Sequence, residues 1–526
     1  MKMNNQLLLL TILLVSYYSE AYKILVVSPF PGKSHSILGD GVVRHLSKAG
    51  HEITYITAFP HEKPAAGVRE IDVSFTKQYL PESKLSLEKI LKKEDDVNDI
   101  KVFVFALANM TSNALKCEAV TKILTDPKET FDVVIGEWMF NDLYAAIAAV
   151  YRCPFIWLSS VEPHWRVLML IDEIPNPSYN PDAISNNDVP LSFIQRLQEL
   201  TFQIVGLALD YFYASDLDKT NYNEILVPII RGRGNPVPTF EELRYNASLM
   251  LGNSHISMGR ATRLPPLYKS VGGYHIDEDV KPLPADLKKM LDNATNGVIY
   301  FSMGSNLKSK MMPNELKQSL LKMFRELKQT VLWKFEEDLP NRPSNVHILQ
   351  WAPQQSILAH PNCRVFITHG GLLSTTEAIY FGKPLIVIPV FADQFGNADR
   401  AVSKGFAVKV DLSYTMAGDV KAAINEIFTE PKYAAKAKEL SLIYHDRPVP
   451  PGKELVHWVE HVVKTNGALH LRSPALHLPF YQKLYLDLLA IILILLYVIK
   501  VVIKIIFAKI CGNKKVKVLD HKKKNK

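Results

Sequence analysis

The 526-residue sequence predicts an α/β protein with two doubly wound domains and one C-terminal helix that crosses a membrane. Short apolar runs of strand length alternate with helical stretches in both halves of the chain, which is typical of parallel sheets covered by helices. Near the C-terminus, an apolar stretch is long enough to cross a bilayer. The length also exceeds what one hydrophobic core supports, so more than one domain is expected.

Residues 1–21 have the features of a cleaved secretory signal peptide. Lys2 precedes an apolar run from Leu7 to Val15, and Ser19 and Ala21 then supply small residues where a signal peptidase cuts. We therefore expect a mature chain that begins at residue 22 and leaves the cytosol.

A strand-helix-strand unit opens the first predicted domain, residues 22–276. The strand Lys23–Ser28 precedes a loop at residues 29–36, a helix that ends near Gly50, and the strand Glu52–Thr57. Strands at 131–135 and 155–158 are expected to extend this sheet. For the apolar residues 190–215 we expect ordinary core, with acceptor-pocket helices or a lip resting on the membrane as alternatives.

The second predicted domain covers residues 290–445 and follows a linker at residues 277–289 that contains Pro282 and Pro284. Its strands are expected at residues 298–301, 346–349, 365–367 and 384–390.

Several of these second-domain strands end in residues that suit a nucleotide. Trp351 and Gln354 follow one strand, His369-Gly370-Gly371 follows the next, and Asp393-Gln394 follows a third. Because parallel strands present their carboxyl ends at one edge of a sheet, we expect these groups to share a crevice. An indole stacks on a planar base, and glycine amides at a helix start bind phosphate. The set therefore predicts a site for a nucleotide diphosphate with a polar sugar attached.

Other nucleotide and metal motifs are missing from the sequence. No GxGxxG follows the first strand and no GxxxxGK[ST] occurs, which argues against nicotinamide, flavin and P-loop enzymes. The chain also lacks a DxD-like metal loop where donor sites need one, so amides and imidazole are expected to meet the diphosphate charge without a metal.

The ordered set Trp, Pro-Gln, Thr-His-Gly-Gly, Glu-Ala, Pro and Asp-Gln resembles the donor signature of UDP-glycosyltransferases of the membrane-bound UDP-glucuronosyltransferase type. The resemblance extends from about Lys23 to the C-terminus. It implies the GT-B fold, in which two Rossmann-like domains face each other across a cleft. It also implies that residues 446–483 form helices that pack back on the first domain, followed by a juxtamembrane segment.

The resemblance assigns roles to donor-site residues. Trp351 would stack on uracil and Gln354 would contact uridine, while His369 and the Gly371 amide would meet the diphosphate. Glu377 would bind the ribose hydroxyls, although Ser374-Thr375-Thr376-Glu377 also fits a capping box. Asp393 and Gln394 would bind the sugar hydroxyls. After the strand at residues 298–301, Ser305 is a candidate phosphate ligand, with an ordinary turn as the alternative.

Two departures from the family pattern carry chemical weight. Leu373 and Ser374 stand where the family has asparagine and glycine, so one hydrogen bond to phosphate is lost or replaced. A bond to a charged oxygen contributes about 1.5–3 kcal/mol. The family also has an aspartate where this chain has Glu137.

His35 is the candidate general base, since an imidazole titrates near neutral pH and this one follows the first strand. A carboxylate is expected to hold its tautomer. Glu137 is the preferred partner, and Asp142 is the alternative.

The C-terminal region predicts a type I membrane protein. Residues 484–507 form the expected span, and residues 508–526 form a basic cytosolic tail. The ten lysines and one aspartate of residues 500–526 give +9, which accounts for the net charge of +8 and argues against nucleic-acid binding. A lumenal body fits the sequons at Asn109, Asn246 and Asn293, and the final lysines resemble an endoplasmic reticulum retrieval signal.

These features predict an inverting, metal-independent transfer of glucose or glucuronate from UDP-glucose or UDP-glucuronate to a hydroxyl of a small lipophilic acceptor. No further cofactor is expected. A role in detoxification follows from the family, and a homo-oligomer is compatible with the sequence. The alternative is a catalytically silent membrane protein that binds UDP or a lipophilic ligand on the same fold.

Overall fold

The computed structural model describes residues 21–80, 87–92, 100–187 and 189–523. The predicted signal peptide, apart from residue 21, and the last three residues of the retrieval signal lie outside these ranges. The chain divides into two compact units, Met1–Arg472 and Ser473–Lys526.

The first sheet contains seven parallel strands within the described residues, in the order β3-β2-β1-β4-β5-β6-β7. Residues of β4 and β5 are buried along their whole length, which explains why these strands are almost continuously apolar. The strands are β1 Lys23–Ser28, β2 Glu52–Thr57, β3 Val68–Asp72, β4 Val133–Trp138, β5 Phe155–Ser159, β6 Leu249–Gly252 and β7 Tyr268–Ser270.

The second sheet has six parallel strands in the described part of the chain, in the order β10-β9-β8-β11-β12-β13. In each sheet the strand order changes direction at the centre. Successive strands are added outward on one side from β1 to β3 and from β8 to β10, and on the other side from β4 and from β11 onward. Ligands of open α/β sheets bind at such a point, outside the carboxyl ends of the strands. The strands are β8 Val298–Ser302, β9 Thr330–Lys334, β10 Val346–Leu349, β11 Cys363–Thr368, β12 Leu385–Val387 and β13 Ala407–Lys409.

Helices connect the strands of both sheets. Those before the second sheet are Lys33–Lys48, Leu87–Lys92, Ile100–Lys116, Glu118–Thr125, Ile147–Tyr151, Trp165–Met169, Phe193–Leu209, Ser215–Asn221, Val227–Gly232 and Phe240–Arg244. The later ones in the first unit are Ala285–Asn293, Asn314–Arg325, Gln354–Ala359, Leu372–Tyr380, Gln394–Ser403, Met416–Thr429, Pro431–His445 and Pro451–Lys464. This architecture confirms the predicted fold class.

The helix Pro451–Lys464 returns to the first sheet although it follows the second sheet in the chain. Leu455 and Val459 are fully buried in the first hydrophobic core, together with residues of β1 and β4. Nearby, the Tyr444 hydroxyl donates a hydrogen bond to the carbonyl of Gly272 at 3.1 Å. The two sheets are therefore held together by the C-terminal helices and not only by the connecting segment.

Several predicted boundaries differ from the structure. The strand predicted at 131–135 runs instead from Val133 to Trp138, so Glu137 lies inside β4 and not after it. His35 lies in the first turn of the helix Lys33–Lys48 and not in a loop. A helix, Ala285–Asn293, begins within the segment predicted as linker.

The prediction of ordinary core for residues 190–215 is wrong. The helix Phe193–Leu209 leaves many large apolar side chains in solvent, including Phe193 at 70% and Ile204 at 56% exposure. Its buried residue is Glu199. Periodicity shows which residues share a face, but it does not show which face meets the body of the protein.

The second unit is mainly the helix Leu486–Lys523, preceded by the short helix Phe480–Lys483. Its segment Leu486–Ile510 has 25 residues with a mean hydropathy of 2.9, and is long and apolar enough to cross a membrane. The helix starts two residues later than the predicted span and continues through most of the segment predicted as a tail.

Removing a buried side chain of the helix Pro451–Lys464 should destabilise the packing of this helix on the first sheet. We expect Leu455→Ala to lower the free energy of unfolding by about 2–5 kcal/mol, because it leaves a cavity in the first core. Lys453→Ala, at an exposed position two residues earlier, is the control, with a change of about 0.5 kcal/mol or less. Thermal unfolding of the purified full-length chain measures both, and equal melting temperatures would contradict this packing role.

Candidate active site

Glu137 and His35 form a hydrogen-bonded pair at the reversal point of the first sheet. His35 Nδ1 lies 2.5 Å from Oε1 of Glu137, and the Ser28 hydroxyl donates to Oε2 at 2.5 Å. The Glu137 side chain is 2% exposed, whereas that of His35 is 15% exposed. An ionised carboxylate can only accept a hydrogen bond. We therefore infer that Nδ1 of His35 carries the ring proton and that Nε2 is available as a base.

Asp142, the alternative partner, is engaged elsewhere. Its Oδ1 accepts a hydrogen bond from the Trp138 indole at 2.9 Å, and its Oδ2 lies 2.7 Å from Nε of Arg244. Arg244 also pairs with Asp210, so Asp142 belongs to a buried charge network inside the first domain. The structure therefore contradicts the assignment of Asp142 as the group that orients His35.

A small cavity lies against the Glu137 side of this pair. Most of its lining is apolar or aromatic, and Thr111 and Asn141 add polar atoms. At about 10 Å³ the cavity has room for about one water molecule beside the Glu137 carboxylate. The lining residues are Pro29, Phe30, Met110, Thr111, Glu137, Met139, Asn141 and Tyr144.

In the second domain, the ring of His369 is enclosed by the backbone of two glycines. A Cβ at Gly304 would lie 2.4 Å from the His369 ring, and one at Gly371 would lie 2.6 Å from it. Both glycines are required for this close approach, and Gly304 also has a φ of +84°. Burial, followed by the charge of Lys334, lowers the pKa of His369 to about 4. At neutral pH the ring is therefore an uncharged hydrogen-bonding group.

Gly371 caps the start of the nine-residue helix Leu372–Tyr380, so exposed backbone N–H groups face the same end of the sheet as His369. Ser305 lies half-buried in the turn after β8, which is the strand next to β11. The structure thus brings Ser305, His369 and Gly371 to neighbouring strand ends. Together they form the expected position for phosphate groups.

Lys334 is a buried cation at this position that the sequence analysis missed. It is 5% exposed, and its Nζ donates to the Gly304 carbonyl and to Glu336, both at 2.9 Å. The same Nζ lies 5.5 Å from the centre of the Trp351 ring. A lysine at the end of the apolar run of β9 was the signal that could have revealed it.

Trp351 and Gln354 follow β10 and differ in their environment. The Trp351 indole is 58% exposed, which leaves a face free for stacking. Gln354 instead donates from Nε2 to Glu377 at 2.7 Å and accepts from the Tyr300 hydroxyl at 3.2 Å. These contacts fix the orientation of the Gln354 amide.

Glu377 is 5% exposed and is held by Gln354 and by His275 of the first domain, whose Nε2 is 3.5 Å away. The capping-box interpretation of Glu377 is wrong, because the helix is capped by Gly371 and Glu377 lies in its second turn. Side chains of both domains therefore already engage its carboxylate.

Asp393 and Gln394 begin the helix Gln394–Ser403 at the end of the cleft. Asp393 accepts a hydrogen bond from Asn397 at 2.8 Å, and burial raises its pKa. The hydrogen bond from Asn397 and the charge of Arg400 act in the other direction. Gln394 uses its side-chain oxygen to accept from the backbone N–H groups of Val390 and Phe391, at 2.9 and 3.2 Å. Its amide nitrogen can still donate.

Glu162 is a second residue that the sequence analysis missed. It follows β5, is 8% exposed, and its Oε1 has no hydrogen-bond partner among the described residues. Burial raises its pKa to about 7, and the charge of Arg400 on the facing helix opposes this shift. Arg400 itself donates to the carbonyl of Ala183 in the first domain at 2.7 Å. Glu162 and Arg400 thus add facing charged groups near Asp393.

Leu373, which departs from the family pattern, packs against the hydrophobic core of the first domain. The neighbouring Ser374 lies within 3.3 Å of Gln354 Nε2. Leu373 therefore exchanges a polar contact for an apolar contact between the domains.

The candidate groups for proton transfer, base stacking and phosphate binding lie near strand ends of the two sheets. Among the described residues, no group of three His, Cys, Asp or Glu side chains is arranged to hold a metal ion. The structure brings together His35 and Glu137 on one side, and Ser305, Trp351, Gln354, His369, Gly371, Glu377, Asp393 and Gln394 on the other.

Comparison with solved structures supports the same architecture. The calicheamicin glycosyltransferase CalG4 matches with a TM-score of 0.52 and 17% identity, over 85% of this chain and 99% of that one. The glycosyltransferase VinC, solved in complex with DTDP, matches with a TM-score of 0.52 and 15% identity, over 84% of this chain and 99% of that one. At these identities the match establishes the GT-B fold.

Sequence comparison establishes the family. UDP-glucosyltransferase 2 of Dactylopius coccus is 31% identical over 90% of this chain and 90% of its own length. UDP-glucuronosyltransferase 2B15 of Homo sapiens is 29% identical over 88% of each. The family model described as UDP-glucoronosyl and UDP-glucosyl transferase matches residues 23–525. With this match and a cleft of the corresponding fold, the chain belongs to the UDP-glycosyltransferase family and is an enzyme of that class.

Proposed function

We propose that this enzyme transfers glucose or glucuronate from UDP-glucose or UDP-glucuronate to a hydroxyl of a small lipophilic acceptor, with inversion at the anomeric carbon. The contact that carries the proposal is the 2.5 Å hydrogen bond between His35 and Glu137, next to an apolar cavity. A base in this position removes the acceptor proton while the acceptor oxygen attacks the sugar directly. The single displacement inverts the anomeric centre without a covalent sugar–enzyme step.

Glu137 holds the His35 ring and balances the imidazolium that forms when Nε2 takes the proton. Its second oxygen is already bonded to Ser28, so the carboxylate has one fixed geometry. The longer glutamate side chain thus performs the task that the family gives to aspartate.

On the donor side, Trp351 stacks on uracil, Gln354 contacts uridine and Glu377 binds the ribose. Neutral His369, the Gly371 amide and Ser305 donate to the diphosphate. Lys334 supplies the positive charge that the leaving UDP needs. Asp393 and Gln394 bind the sugar hydroxyls near the base.

A catalytically silent binding protein is the competing function. Glu137 and Leu373 favour this alternative, because both residues differ from the family pattern. Glu137 is bonded to His35, and Leu373 packs between the domains, so both departures are compatible with turnover. Thermal stabilisation by UDP, without transfer from either UDP-sugar to a panel of phenols, would favour the silent protein.

The proposed base and its partner predict two losses of activity. We expect His35→Ala to abolish transfer, and Glu137→Gln to lower kcat by about 10²–10⁴-fold with an unchanged KM for the donor. Glu70→Gln is a matched control, since Glu70 accepts a hydrogen bond from His61 Nδ1 at 2.8 Å in a more exposed pair. Initial rates in microsomes measure all three variants. Full turnover of His35→Ala would refute the base, and wild-type kcat in Glu137→Gln would refute its partner.

Removing the charge of Lys334 should weaken binding of the UDP-sugar donor. We expect Lys334→Met to raise the KM for the UDP-sugar at least about ten-fold, because a charge-assisted contact contributes about 1.5–3 kcal/mol. Stabilisation against heat by UDP should weaken in parallel. Lys310→Met is the control, since Lys310 pairs with Glu337 at the surface at 3.3 Å. An unchanged donor KM in Lys334→Met would contradict the role.

We further propose that the chain is a type I protein of the endoplasmic reticulum membrane with a lumenal body. Asn246 and Asn293 are exposed, whereas Asn109 is half-buried in a helix. In the same sequon as Asn109, Thr111 is 1% exposed and bonds to Tyr144. The sequons Asn246 and Asn293 thus suit glycosylation better than the third.

This topology predicts two glycans sensitive to endoglycosidase H. Asn246→Gln and Asn293→Gln should each increase gel mobility by one glycan, and Asn109→Gln should leave it unchanged. A wild-type chain without glycans, or a body digested by protease in sealed microsomes, would contradict the lumenal assignment.

A further inference from the structure

His275 is a buried histidine of the first domain that faces the donor site. It is 2% exposed, and its Nε2 lies 3.5 Å from Oε1 of Glu377 in the second domain. Neither of its ring nitrogens has a hydrogen-bond partner among the described residues. Because buried polar atoms in native proteins nearly always have partners, a ring in this position calls for an explanation.

The buried carboxylate of Glu377 has few groups that compensate its charge. A buried carboxylate is costly unless a basic group or several hydrogen bonds stabilise it. Gln354 and Gln355 donate to it through Nε2, at 2.7 and 3.4 Å, but both amides are uncharged. In the part of the chain that the structure describes, His275 is the one basic side chain within ion-pairing distance of Glu377.

The segment that carries His275 is attached to both domains. Arg44 donates a hydrogen bond to the carbonyl of Tyr274 at 2.9 Å, and it also pairs with Asp277. The Asp277 N–H donates to the side-chain oxygen of Gln355 at 3.0 Å. His275 lies between these two attachments. A shift of its backbone would therefore break contacts with the first domain, the second domain or both.

These neighbours leave one side of the Glu377 carboxylate open to a ligand. Each carboxylate oxygen can accept two hydrogen bonds. Gln355 and His275 both face Oε1, whereas Gln354 takes one position on Oε2. The second position on Oε2 is the one that suits a hydroxyl donor. Ribose carries such donors, at its 2′ and 3′ carbons.

We propose that His275 is a positioning residue, which holds Glu377 through Oε1 so that Oε2 accepts a hydrogen bond from the ribose of the UDP-sugar. The proposal rests on the proposed function, in which Glu377 binds the ribose. His275 itself contacts neither the ribose nor the reacting atoms. Recognition of the ribose by the second domain then depends on a side chain that the first domain supplies.

The test compares the binding of UDP with that of 2′,3′-dideoxy-UDP, which lacks both ribose hydroxyls. Both are titrated against the purified full-length chain. We expect wild type to bind UDP at least about ten-fold more tightly, and His275→Leu to reduce this ratio to about three-fold or less, since a hydrogen bond to a charged group is lost. His275→Gln should restore most of the ratio, because its terminal amide nitrogen can take the place of Nε2.

Transfer kinetics separate positioning from a general loss of structure. His275→Leu should raise the KM for the UDP-sugar and leave kcat within about two-fold of wild type, because the residue does not touch the reacting atoms. Melting temperatures without nucleotide report any loss of stability on their own. The binding ratio does not depend on that loss, since both nucleotides meet the same folded protein.

Two further variants control the comparison. His360→Leu removes a second histidine–carboxylate contact, in which Nε2 lies 3.1 Å from Oδ1 of Asp292, and its ratio should equal that of wild type. Glu377→Gln should lower the ratio by itself. Adding His275→Leu to Glu377→Gln should change the ratio no further, because the two residues act through one contact.

A wild-type ratio in His275→Leu would overturn the proposal, as would independent, additive losses in the double variant. Equal binding of UDP and the dideoxy compound by wild type, with transfer intact, would reject the ribose role of Glu377 and the proposal with it, but not the transferase function. Tight binding of UDP without any transfer would reject that function, and the ratio would still decide for or against His275.

Discussion

The buried carboxylate of Glu137 is the constraint around which the His35 side of the cleft is arranged. A carboxylate that is 2% exposed is costly unless each oxygen has a partner, and here Ser28 and His35 supply them. These partners reach it because β1 and β4 are paired in parallel at the reversal point of the first sheet, although His35 and Glu137 are 102 residues apart in the chain. The sheet topology thus sets the orientation of the imidazole.

The donor half relies on a different principle. His369 is packed between Gly304 and Gly371, where burial and the nearby Lys334 keep it uncharged. Positive charge is instead concentrated on Lys334, whose position is fixed by two hydrogen bonds. A neutral donor and a fixed cation can both interact with a diphosphate, and neither has to gain or lose a proton near neutral pH.

The helix Phe193–Leu209 turns polar side chains toward the first domain and apolar side chains toward solvent. Glu199 and Gln203 face the protein and Leu200 and Ile204 face outward, which is the reverse of an ordinary surface helix. The loop at residues 175–187 links this helix to the cleft, since it contacts Glu199 on one side and Arg400 of the donor domain on the other. The exposed apolar face of this helix and the cleft therefore share one supporting segment.

The sequence by itself determined the α/β class and most strand positions, and it predicted the candidate donor-site residues that follow β10, β11 and β12. Strand-length apolar runs report local burial, and small or polar residues at their ends report ligand sites, so both are readable without coordinates. Only the tertiary structure decided that Glu137 and not Asp142 meets His35, because a pairing across 102 residues depends on strand order. It also revealed Lys334 and Glu162 as cleft residues, and it showed the outward orientation of Leu200. Which side of a helix faces the core, and which buried charge finds a partner, are set by packing between distant segments, and a local pattern carries no record of that packing.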